Sequence, residues 1–68
     1  MDAHVYKKIE IVGSSKTSVD EAIQNAITKA AQTIHNMRWF EVNQVRGYLE
    51  GGQVSYYQVD LTVGFTVD

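Results

Sequence analysis

Apolar and polar residues alternate with the period of a β-strand in three stretches of this chain, and with the period of a helix in one. Over Val5–Val12, the residues Val5, Ile9 and Ile11 share one face and Tyr6, Lys8 and Glu10 the other, with Lys7 interrupting the apolar row. Gly13-Ser14-Ser15-Lys16-Thr17 reads as a strand-to-helix connection. It lacks the glycines and lysine placement of a phosphate loop. Ser18-Val19-Asp20-Glu21 has the form of a capping box, in which the Ser18 hydroxyl takes the third helical amide and Glu21 reaches back to the cap. From there Val19, Ala22, Ile23, Ala26, Ile27, Ala30, Ala31 and Ile34 keep to one helical stripe. The stripe is alanine-rich, which lets the helix lie close to a sheet. Gln24, Asn25, Thr28, Lys29 and Gln32 form the solvated face, and His35 suits the helix C-terminus.

Trp39–Leu49 and Val54–Val67 are the second and third strands, joined by a hairpin turn at Glu50-Gly51-Gly52-Gln53. In the third strand Tyr57, Val59, Leu61, Val63, Phe65 and Val67 make the core row facing the helix. A tight Gly51-Gly52 turn places Phe40 opposite Val63, Val42 opposite Leu61 and Trp39 opposite Gly64. Followed further, that register turns Gln44 and Arg46 inward and Val45 outward, so a bulge between Asn43 and Val45 would restore the pattern. The architecture expected is α+β: a β-α-β-β chain, two layers, with one helix on a three-stranded antiparallel sheet. A right-handed crossover leaving a gap for the third strand gives the order 1-3-2. Residues 1–68 read as a single domain.

The second strand carries the only tryptophan, and its neighbour decides where it looks. With Phe40 in the core row, Trp39 lies on the face the helix does not cover, together with Tyr6, Val45, Tyr56 and Gln58. An indole left on an open face calls for a subunit interface or a stacked ligand. Gln58 lies six residues from Gly64 along the strand, so Trp39 and Gln58 are separated by about 20 Å. A small site using both would need more than one copy of the chain.

Composition narrows the function classes. A core of 68 residues contributes only about 3–5 kcal/mol, and folds of this size need a staple. The sequence has no cysteine, and two scattered histidines make no zinc pattern, which leaves oligomerisation. Net charge is −2 with both signs interspersed, so no basic footprint points to nucleic acid. No apolar run reaches membrane-span length and no signal-peptide pattern is present, so a soluble, cytoplasmic protein with no membrane partner is expected. No nucleophile–base set or metal-ligand cluster stands out. Glu10, Asp20, Glu21, Glu41, Glu50 and Asp60 are dispersed, as surface charges and inter-subunit salt bridges are.

Tyr6-Lys7-Lys8-Ile9-Glu10-Ile11-Val12-Gly13-Ser14-Ser15, Trp39-Phe40-Glu41-Val42 followed by Arg46-Gly47, and Tyr57-Gln58-Val59 with Val63-Gly64-Phe65 closely resemble the bacterial dodecins, across essentially the whole chain. The resemblance implies a hollow homododecamer that binds flavin without being an enzyme. Flavin pairs would stack between tryptophans of neighbouring subunits, with the role of storing flavin and quenching its photochemistry. Trp39 matches the stacking tryptophan and Gln58 the glutamine that meets the polar edge of the ring. Arg46 matches an arginine near the flavin tail or a second nucleotide ligand. Where several relatives have arginine after the Gly-Phe pair this chain has Thr66, so the resemblance implies no preference among FMN, riboflavin and FAD. It also raises coenzyme A as a ligand without locating a site. Two other classes stay open on the residues: a small flavoenzyme, and a structural oligomeric module in which Trp39 only packs on a neighbour.

Overall fold

The computed structural model describes residues 3–67 of the chain; Met1, Asp2 and Asp68, within the expected span of 1–68, lie outside the described residues. The elements run β1 (Tyr6–Ser15), α1 (Val19–Ala30), β2 (Met37–Glu50) and β3 (Gln53–Thr66). The sheet is antiparallel with the order β1-β3-β2, as the crossover argument requires. Gly51 and Gly52 both take positive φ, at 60° and 78°. That is the backbone of a two-residue turn whose twist matches the strands on either side.

β1 is three residues longer than its alternation indicates, because Gly13, Ser14 and Ser15 continue the ladder against Val59, Gln58 and Tyr57. Ser15 then organises the entry to the helix. Its hydroxyl accepts from the amides of Thr17 (2.9 Å) and Ser18 (3.3 Å) and donates to the Glu21 carboxylate at 3.0 Å. The cap is therefore half of what the capping box predicts. Ser18 Oγ does accept from the Glu21 amide at 3.0 Å, but the Glu21 side chain goes to Ser15 and not to the Ser18 amide.

α1 stops at Ala30, one turn short of the apolar stripe's end. The bonds Gln32 N–H to Lys29 O and Thr33 N–H to Ala30 O tighten the last turn, and Asn36 at φ 65° redirects the chain into β2. His35 is thus beyond the helix, and Lys29 is the basic residue of the last turn.

The core is Ala22 and Ala26 on Val59 and Leu61, flanked by Ile11, Val19, Ile23 and Ile27. Val63 is buried beside them. Gly13 sets the helix–sheet spacing: a Cβ there would overlap the Ala22 carbonyl oxygen and come within 2.8 Å of the Ala26 Cβ. The helix packs mainly on β1 and β3 and leaves most of β2 exposed. Phe40 and Val42 occupy the expected helix-side row, yet they are 48% and 44% exposed. Phe40 faces as predicted but is only about half covered within one chain.

The bulge expected near Asn43 is present, and the pairing shifts between Val42/Leu61 and Gln44/Asp60. It corrects one side chain. Val45 pairs with the buried Val59 and so belongs to the helix-side row, not to the open face with Trp39. Phe40, Val42 and Val45 then form one exposed apolar strip along β2.

Because the atoms opposing a Gly13 side chain are backbone and a packed helix, Gly13→Ala should cost at least about 2 kcal/mol by overpacking. A thermal midpoint lowered relative to wild type, with the helical circular-dichroism band retained in the folded fraction, checks this.

Candidate functional site

The open face of the sheet carries two clusters at opposite ends of β3. At the first, Trp39 lies opposite Gly64, in the predicted register. The six-membered ring of the indole rests over the glycine, where a Cβ would overlap its Cε2 and Cζ2 atoms. Tyr6 on β1 flanks it from across the central strand, with ring centroids 6.4 Å apart and planes at 47°. One indole face is therefore spent on the sheet, while the residue remains 37% exposed. Gly64 is what allows the ring to lie there. Any side chain at that position would lift the indole.

The second cluster exists because of the bulge. Beyond Asn43, whose Nδ2 donates to Thr62 Oγ1 at 2.6 Å, the even-numbered residues of β2 turn onto the open face. Arg46 comes to lie opposite Gln58 and Tyr48 opposite Tyr56. The Arg46 guanidinium forms a two-pronged pair with Asp60, Nη1 donating to Oδ1 at 3.0 Å and Nη2 to Oδ2. Nη1 also donates to Gln58 Oε1 at 2.8 Å, and Nη2 to Gln44 Oε1 at 3.3 Å. The Tyr48 hydroxyl donates to the same Gln58 oxygen at 3.3 Å. Tyr48 is itself stacked on Tyr56, with centroids 4.6 Å apart.

The hydrogen bonds from Arg46 hold the Asp60 carboxyl below its ordinary range, against the opposing pull of partial burial and with help from the guanidinium charge. Reciprocally, the bonds to Asp60 raise Arg46. Gln58 also borders a groove of about 600 Å³ at the end of β1, lined by Ser14, Ser15, Lys16, Thr17, Glu21, Asn25 and Tyr56. Among the described residues no cluster of acidic or histidine side chains is arranged to hold a metal ion, and no helix is long and apolar enough to cross a membrane.

Of the three residues singled out by sequence, Arg46 and Gln58 are in contact and Trp39 stands apart from both. The six-residue offset between Gln58 and Gly64 along β3 corresponds to about 20 Å. Sequence reasoning missed Asp60, Tyr48 and Gln44 as members of the second cluster. Asp60 makes an ion pair inside the chain where a surface charge or inter-subunit bridge was expected. Finding all three required two shifts in the ladder, one between Tyr48 and Leu49 near the turn and one between Val42 and Gln44, which together set Gln44 against Asp60 and Tyr48 against Tyr56.

Fold and face together define a class: small β-α-β-β proteins whose helix covers one side of the sheet and whose open side presents an indole and a carboxamide. Residues 5–68 match the family model described as Dodecin. A curated Dodecin from Thermus thermophilus is 44% identical over 64 residues, covering 94% of this chain and 93% of the relative. The solved structure of a dodecin from Streptomyces davaonensis superposes with a TM-score of 0.93 at 49% identity, covering 98% of both chains. That of a Streptomyces coelicolor dodecin gives 0.94 at 48% identity, covering 100% of this chain and 97% of the other. The chain belongs to the dodecin family.

Gly64→Ala should displace the indole from the sheet. With a single tryptophan in the chain, a red-shifted emission maximum reports the displacement directly. For Asp60 the sign follows from its lowered value. The stabilisation from the Arg46 pair is fully present above the unfolded carboxyl value of about 3.9 and is lost as pH falls through the lower, folded one. Urea midpoints of wild type and Asp60→Asn should therefore differ at neutral pH and converge on acidification below about pH 4.

Proposed function

We propose that this chain is a nonenzymatic flavin-binding protein that stores flavin in a hollow homododecamer, with Trp39 stacking on the ring and Gln58 and Arg46 meeting its polar edge and tail. The observation that carries this reading is the indole of Trp39, seated on Gly64 by one face with the other turned away from the sheet. A planar π-surface held in this way suits a planar ring, and such stacking contributes roughly 0.5–1.5 kcal/mol beyond burial. The separation of about 20 Å from Gln58 makes the site a product of several subunits. The bare strip of Phe40, Val42 and Val45 supports assembly, since an apolar row of this kind is ordinarily covered.

The role needs no acid, base or substrate pocket. An indole against an excited flavin quenches it by electron transfer, and a ring enclosed between indoles is kept from photochemistry. FMN, riboflavin and FAD all present the ring this site would hold, and the location we propose is the cytoplasm. Coenzyme A as a further ligand rests on the family alone.

Titrating riboflavin into apoprotein tests the reading. Strong quenching of flavin emission is expected, lost or weakened at least tenfold in Trp39→Ala while native mass measurement still shows the oligomer. Unquenched flavin at micromolar concentrations, or a monomer by native mass, overturns it.

A further inference from the structure

The Gln58 carboxamide is held by one end only. Its oxygen has two lone pairs, and both have donors: Arg46 Nη1 at 2.8 Å and the Tyr48 hydroxyl at 3.3 Å. Its Nε2 has no hydrogen-bond partner among the described residues. A terminal amide otherwise turns with little preference between its two ends. Here the turn that exchanges oxygen for nitrogen would set an NH2 group against the Arg46 guanidinium, which can only donate, so the orientation is determined by Arg46, and the Tyr48 hydroxyl adds a second donor to the oxygen. Arg46 is in turn held by Asp60 through both guanidinium nitrogens that face the sheet. The chain of contacts runs from Asp60 to Arg46 to Gln58, with Tyr48 converging from the side.

We propose that Asp60 and Tyr48 are positioning residues for the flavin site, fixing Gln58 so that its NH2 end is presented to a carbonyl on the edge of the ring. Asp60 acts through Arg46, and Tyr48 acts on the amide oxygen directly. The inference rests on the flavin reading for its ligand, but the orientation of Gln58 is a property of the chain. Gln58 without this support spends its time in both orientations and binds a ring edge less tightly. Arg46 without Asp60 leaves Gln58 for solvent or for the ligand's own charge.

A double-mutant cycle separates positioning from general damage. Riboflavin is titrated into wild type, Asp60→Asn, Gln58→Ala and the double variant, all as assembled oligomer. Asp60→Asn is expected to weaken binding about fivefold, the scale of one hydrogen bond, and to have less than about a twofold effect once Gln58 is alanine. Equal losses in the two backgrounds, or no loss in the first, overturn the proposal. Tyr48→Phe removes one donor without touching a charge and serves where Asp60→Asn does not assemble. Its expected loss of about twofold should likewise vanish in Gln58→Ala. If wild type binds no riboflavin, the flavin reading fails and positioning is judged on ligand-free crystal structures. An Arg46–Gln58 contact kept in wild type and lost in Asp60→Asn supports it; a contact kept in both, or absent from wild type, overturns it.

Discussion

Two halves of β2 must satisfy opposite demands from the same partner strand, and the extra residue at Asn43 lets them do so. Up to Val42 the odd–even pattern sends Phe40 and Val42 to the helix side and Trp39 to the open side. Without an inserted residue, the same alternation would send Arg46 to the apolar side and Val45 to the polar one. Arg46 would then interrupt the apolar strip and lose Asp60, whereas the inserted residue costs one unpaired ladder position. The bulge resolves this, and Asn43 keeps its side chain bonded to Thr62 across the break.

The polar cluster follows from that shift. Arg46 meets Gln58 and Asp60 because the register from Gln44 to Tyr48 is offset by one residue, between the shift at Asn43 and a second one between Tyr48 and Leu49. The indole at the other end needs a different device. There the enabling feature is the missing side chain of Gly64, which opens a flat seat on the central strand for Trp39. β3 serves both ends, and it is the strand buried by the helix on one side and partly covered by its neighbours' side chains on the other.

A single subunit leaves much undone. A helix of 12 residues spans about 18 Å, whereas strands of 14 residues run to about 46 Å. It can shelter β1 and part of β3, not the whole hairpin. Phe40 therefore does less within the chain than its row suggests, and its neighbour Trp39 keeps one indole face off the sheet. Both point outward to the assembly that we propose.

Element order, the helix and its Ser18 cap, the Gly51-Gly52 turn and the face of Trp39 were legible in the sequence, because each depends on residues close together or on the strict period of a strand. The bulge was legible as a conflict in the pattern, though not its effect on Val45. Asp60, Tyr48 and Gln44 were not read as one cluster with Arg46 and Gln58, since their meeting depends on which residues of β2 and β3 are left out of the ladder, Asn43 in one and Ser55 in the other. That is settled by hydrogen bonding between two strands and by which side chains end up buried. Likewise, alternation says which way Phe40 faces but not whether anything covers it. Coverage was decided only when Gly13 let the helix settle mainly over β1 and β3, leaving Phe40 and Val42 close to half exposed.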